Sequence, residues 1–231
     1  MRLLKNLKTG KSRHSLHSFS HEYAVARRKM LEEQLISRNI HNERVLEVMA
    51  KIPRHRFVEE ALVSQAYSDS PLNIGWGQTI SQPYTVALLA QALELQGNEK
   101  ILEIGTGCGY QSAVLSQLAD QIYSIERLSP LLLKARKHLK ELGLQNIILK
   151  LGDGSLGWPE KGPFAAIVAA AVSPEVPEPL VQQLCEGGRL VMPIAHQGKQ
   201  FLVYIKKEKG HLKKQMIEEC RFVKMVGNFA Y

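Results

Sequence analysis

The stretch Lys100-Ile-Leu-Glu-Ile-Gly-Thr-Gly-Cys-Gly-Tyr110 decides the fold. Residues 101–104 form an apolar run interrupted only by Glu103, and the run stops at a glycine cluster. Beyond the cluster, Ala113, Val114, Leu115 and Leu118 recur at helical spacing, which predicts strand, tight turn and helix. Gly105, Gly107 and Gly109 remove three side chains where a ligand can lie against the backbone. The helix start beyond them offers unpaired N–H groups.

The glycine spacing narrows the ligand. Tyr110 stands where a dinucleotide fingerprint needs glycine, and this turn lacks the Gly-Lys-Ser/Thr of a phosphate-binding loop. Glu103 repels phosphate but suits a cationic or amine-bearing ligand. S-adenosylmethionine, with its amino group and sulfonium, fits; a plain strand-to-helix turn is the alternative this stretch leaves open.

Outward from the turn, strand and helix signals alternate. Strands are expected at 101–104, 122–125, 147–151, 166–169 and 189–193, with helices at 111–118, 130–142 and 179–184 between them. Further strands are expected at 201–206 and 221–226, joined by the polar stretch 206–215 as an antiparallel edge. The pattern predicts an α/β fold with a doubly wound, mostly parallel, Rossmann-like sheet. Ligands bind such sheets past the carboxyl ends of the strands. Three acids stand there: Glu103, Glu126 and Asp153. Glu126 lies at the right separation from Gly105 to accept both ribose hydroxyls, and Asp153, between two glycines, suits an adenine amino group.

Before the sheet, apolar positions at 23–36, a second helix capped by Asn42 and ended by Pro53, and a short helix around 57–62 make a helical preface of residues 23–66. Residues 67–84 have no clear period and many hydroxyl and amide groups, which marks a functional loop. Within it Ile74, Trp76 and Ile80 call for burial, and Ser81 is placed to cap the helix that follows. The remaining 85–231 is the core of a single domain.

Charge and composition exclude several classes. Residues 1–29 carry eight basic residues and one acid, whereas residues 30–231 carry 22 and 21. The basic excess is therefore a tail, 1–22, expected to be disordered, and the near-neutral body gives no nucleic-acid face. No apolar run approaches the ~20 residues that cross a bilayer. Cys108, Cys185 and Cys220 read as free thiols of a reducing compartment. No metal cluster, Ser-His-Asp pattern or base is evident. An acceptor that is already anionic needs none.

The chain resembles the protein-L-isoaspartate O-methyltransferase family from about residue 28 to 227. The resemblance rests on Arg28-Lys-Met-Leu-Glu-Glu-Gln-Leu35, Pro53-Arg-His-Arg-Phe-Val58, Leu102-Glu-Ile-Gly-Thr-Gly-Cys-Gly-Tyr-Gln111, Tyr123-Ser-Ile-Glu-Arg127 and Gly152-Asp-Gly154. Its most diagnostic part is Gly77-Gln-Thr-Ile-Ser-Gln-Pro83. The resemblance implies methyl transfer from S-adenosylmethionine to the α-carboxylate of L-isoaspartyl residues in aged proteins. It places Ser81 as the active-site serine and Thr79, Ile80, Ser81, Gln82 and Pro83 as the loop around cofactor and substrate. Glu103, Gly105, Gly107, Glu126, Asp153 and Gly154 match cofactor-binding positions, and Gly109 joins them from the glycine turn. The expectation is a monomeric cytoplasmic enzyme that uses no metal, nucleic acid or membrane. Rivals of other classes are a methyltransferase of the same fold with another acceptor and a non-catalytic adenosylmethionine-binding protein. Three positions depart from the family pattern: Ala165, Ala195 and Lys224, where an acid, a glycine and a proline are usual.

Overall fold

A computed structural model describes residues 23–231, so the expected basic tail lies outside the described residues. The preface opens with α1 (Ala24–Lys29), which runs on through a π-helical segment, Met30–Leu35, and a 3-10 turn, Ile36–Arg38. Met30, Leu31 and Leu35 face the core, but Val25 and Ile36, expected inside, are exposed. Asn42 caps α2 (Glu43–Lys51) as anticipated, its Oδ1 accepting the Val45 N–H at 3.2 Å. The expected helix around 57–62 is instead a pair of 3-10 turns, Arg54–Phe57 and Glu60–Gln65. The preface packs mainly on helices beside the sheet rather than on the sheet itself.

The stretch 67–84 is less irregular than its composition suggests. β1 (Leu72–Gly75) and β2 (Gln78–Ile80) form an antiparallel hairpin with Leu72 opposite Ile80. Its tip, Gly75-Trp76-Gly77, has φ of 95°, 53° and 69°. Two glycines permit that left-handed path. Ile74 and Ile80 are buried as expected, whereas Trp76 sits on the tip and is 51% exposed. α3 (Pro83–Ala92) follows, with proline in its first turn, where a missing N–H costs nothing. Gln82 occupies the cap position and no side chain caps it, so Ser81 is not a capping serine.

The main sheet comprises β3 (Lys100–Ile104), β4 (Gln121–Glu126), β5 (Ile147–Leu151), β6 (Phe164–Ala169), β7 (Leu184–His196), β8 (Lys199–Glu208) and β9 (His211–Cys220). Its order is β5-β4-β3-β6-β7-β8-β9. The pairs from β5 to β7 are parallel, and β7-β8-β9 is an antiparallel edge. Helices α4 (Tyr110–Leu115), α5 (Ser129–Glu141) and α6 (Glu178–Gln182) connect the parallel strands. The chain leaves β3 for β4 on one side and later returns to β6 on the other, which makes β3 the switch point.

Two strand expectations at the C-terminal end are corrected. The strand expected at 189–193 begins earlier, at Leu184, and takes in Gly187 and Gly188, where the pairing with β6 shifts register. The polar stretch 206–215 is not a connector: Lys209 (φ 52°) and Gly210 (φ 76°) make a two-residue hairpin turn, and β9 begins at His211. β9 reads as polar because it is an outer edge, exposed from His211 to Met216. Residues 221–226 then leave the sheet; Gln200 of β8 bonds the Phe222 backbone, and an isolated bridge joins Val172, beyond β6, to Lys224.

Candidate active site

The cavity opens where the switch point requires, past the carboxyl ends of β3, β4 and β6. Ile104, Gly105, Glu126, Ala170 and Ala171 form its floor. Gln78, Thr79, Ile80 and Ser81 of the hairpin form one wall, and Val223 to Val226 another. The space amounts to about 930 Å³ counting solvent at its mouth.

The glycine turn is shaped by backbone conformation first. Gly105, Gly107 and Gly109 have φ of 90°, 56° and 90°, a region other residues enter only at a cost. Gly105 and Gly107 line the cavity. Gly109 faces the other way: a Cβ there would stand 3.2 Å from Ala135 Cβ and 3.3 Å from Leu139 Cγ of α5. It is a packing position rather than a lining one.

Glu126 is held from both sides. Its Oε2 accepts the Gly107 N–H at 2.9 Å and its Oε1 the Leu128 N–H at 2.9 Å. A carboxylate has roughly four acceptor sites, so two remain for a ligand diol. The side chain is therefore preset before any ligand arrives.

Glu103 and Asp153 do not line the cavity. Glu103 is fully buried behind the turn, where the hydroxyls of Ser112 and Ser124 donate to Oε2, the latter at 2.6 Å. Burial pushes its carboxyl up to about 7, and the two hydroxyls pull the other way without cancelling it. Asp153 faces the C-terminal segment. Its Oδ1 accepts from Ser155 N at 2.8 Å and Ser155 Oγ at 2.7 Å, and its Oδ2 from Asn228 N at 2.7 Å. Those bonds hold its carboxyl below the usual range against a partial desolvation that acts in the opposite direction. Gly154 does line the cavity, and a Cβ there would stand 2.3 Å from Ile104 Cγ2. Gln82 and Pro83 lie outside the lining, at the start of α3.

The structure adds residues that sequence patterns did not single out. Gln111, on α4, lines the cavity 7% exposed, and its amide helps to hold down the Glu103 carboxyl behind it. An amide carries both N–H donors and a carbonyl acceptor, which suits a ligand carrying an ammonium and a carboxylate. Residues 223–226, expected within a strand at 221–226, instead form a wall of the cavity. It is tied in by Val172 N–H to Val223 O and Met225 N–H to Val172 O, both 2.8 Å. Ala165 and Ala195 are not cavity residues; Ala165 lies at the opposite, amino end of β6.

A glycine turn at the switch strand, a braced carboxylate with acceptor sites to spare on the next strand and a covered cavity beyond are the layout of an adenosylmethionine-dependent methyltransferase of the Rossmann-like type. The covers decide which one. The chain matches the protein-L-isoaspartate(D-aspartate) O-methyltransferase family over residues 26–230, and it belongs to that family. A protein-L-isoaspartate O-methyltransferase of Geobacter metallireducens is 53% identical over 210 residues, 90% of this chain and 97% of the relative. One from Dictyoglomus thermophilum is 47% identical, over 91% and 95%. A solved protein-L-isoaspartate O-methyltransferase superposes with a TM-score of 0.80 at 30% identity, covering 88% of this chain and 67% of the other. A Plasmodium falciparum structure described as a putative member, in complex with S-adenosyl-L-homocysteine, gives 0.75 at 26%, covering 87% and 98%.

Proposed function

We infer that the chain methylates the free α-carboxylate of L-isoaspartyl residues in damaged proteins, with S-adenosylmethionine as donor and S-adenosylhomocysteine as product. Family membership supports the reaction. The observation that carries the residue roles is Ser81: its hydroxyl has no hydrogen-bond partner among the described residues, yet it lines the same cavity as Gly105 and Glu126.

Glu126 receives the ribose hydroxyls with the acceptor capacity its backbone contacts leave. Gln111 meets the amino-acid end, while Gly105, Gly107 and Gly154 set the floor and Thr79 and Ile80 the wall. Gly109, Gln82, Pro83, Glu103 and Asp153 position the lining from behind. Bound there, S-adenosylmethionine supplies an electrophilic methyl group.

On the acceptor side the residues orient and exclude water. An α-carboxylate is ionised at neutral pH and needs no base. This matters because Glu126 is the one carboxylate on the lining, and it is already engaged. Ser81 donates a hydrogen bond that aligns the acceptor and forms no covalent link. Ile74, Ile80 and Met225, all nearly buried, keep the meeting point dry. Alignment of this kind is worth about 7–11 kcal/mol of barrier.

The enzyme acts as a monomer in the cytoplasm, without nucleic acid or membrane. The near-neutral body and three free cysteines support this. Among the described residues, no helix is long and apolar enough to cross a membrane.

The test is radiolabelled methyl transfer to an isoaspartyl peptide beside its normal aspartyl counterpart. Label in the isoaspartyl peptide alone is expected. Cofactor binding with no transfer to either peptide would overturn the reading.

A further inference from the structure

Resting on that reading, we propose that Lys224 is a specificity residue, a cationic subsite at the cavity rim that favours isoaspartyl sites flanked by acidic side chains. Three charged residues line the cavity: Glu126, Arg127 and Lys224. Arg127 stands at the end of β4 beside Asp153, whose carboxyl its charge helps to hold down. Lys224 is on the far side of β3, bridged to Val172 beyond β6, and no carboxylate pairs with it among the described residues. Its Nζ lies 4.6 Å from the centre of the Tyr231 ring. A ring face holds an ammonium by its charge and leaves its three N–H donors unused. An incoming carboxylate can thus bind without displacing the contact.

The backbone fixes this arrangement. Val172 is bonded to both neighbours of Lys224, and Tyr231 N–H donates to Met225 O at 3.0 Å. Both members of the cation–ring pair therefore ride on one knotted segment. Lys224 is exposed, whereas the methyl-accepting carboxylate must lie inside, near Ser81 and the glycine turn. A full ammonium pair on that reacting carboxylate would also drain the charge that attacks. The rim cation suits a second carboxylate, one on a residue next to the isoaspartyl site.

The experiment uses three isoaspartyl peptides identical except for flanking residues, which are Glu, Ala or Lys on both sides. With the full chain at low salt, kcat/KM should fall from Glu to Ala to Lys, with about a fivefold spread carried by KM, the size of an exposed ion pair. K224E should reverse the order, K224A should flatten it, and raising salt should compress the spread in the native chain. The same order and spread in all three proteins would overturn the proposal while leaving the methylation reading intact. No methylation of any peptide by the native chain would defeat that reading and the proposal with it.

Discussion

The floor of the cavity and its covers are built on opposite plans. On and behind the floor, carboxylates are braced by the protein itself: Glu126 by two backbone amides, Glu103 by two serines. On the covers, Ser81 has no hydrogen bond among the described residues, and Lys224 rests on a ring. A floor that is braced in advance favours one ligand in one pose. Covers with free donors can meet acceptors that vary from protein to protein. On the proposed reading, the donor side is thus the rigid one and the acceptor side the adaptable one.

The contrast breaks most visibly at Glu126. Glu126→Ala removes two charge-assisted acceptors for the ligand and the brace under Gly107. S-adenosylhomocysteine affinity should fall about 100-fold or more by calorimetry, each such bond being worth about 1.5–3 kcal/mol. An unchanged Kd would show that the diol is held elsewhere.

Next in size is the buried carboxyl behind the floor. Glu103 rises from 4.5 to about 7 in the folded chain. A raised carboxyl favours folding while protonated, so its contribution is complete below the unfolded value and is lost as pH rises through about 7. Urea unfolding of the ligand-free chain between pH 5 and 8 should therefore show a fall that Glu103→Gln lacks, on the order of 3 kcal/mol. Parallel pH profiles for the two proteins would mean that Glu103 titrates normally and that the floor is wetter than it looks.

Ser81→Ala sharpens the same contrast from the other side. Loss of a hydrogen bond to a charged acceptor should cut kcat/KM roughly 10–100-fold, while S-adenosylhomocysteine affinity moves less than threefold. Equal losses in both would place Ser81 on the donor side and erase the division between floor and covers.

The floor was the more legible half. Glycines at 105, 107 and 109 and an acid at 126 are local signals, because a positive φ and a strand end are fixed by a few adjacent residues. Even so, Glu103 and Asp153 stand at strand ends without facing the cavity. A strand end places a backbone, and the packing of α4 and the C-terminal segment decides where the side chain goes. The covers were legible only in part. Ser81 stood out by its motif, but the hairpin's pairing depends on a tip with three positive φ values. The wall at 223–226 is placed by contacts distant in sequence, among them a bridge to Val172 about fifty positions away. Gln111 carried no pattern at all, since a buried amide is visible only once its surroundings are.

The smallest expected effect bears on how firmly the covers are fastened. Gly227 lies against Asp153: a Cβ there would stand 2.0 Å from Asp153 Oδ1 and 2.6 Å from Ser155 Oγ. Neither atom can yield without cost, because Oδ1 bonds Ser155 twice and Ser155 Oγ accepts the Phe229 N–H at 3.1 Å. Gly227→Ala therefore has to push the segment off the floor or break those bonds. A Tm drop of a few degrees, about 1 kcal/mol, is expected together with a twofold to fivefold rise in KM for the peptide. A rise in KM without a drop in Tm would show a wall that shifts as one piece. A drop in Tm with KM unchanged would show that the latch serves stability alone, and that residues 223–226 take no part in holding the acceptor.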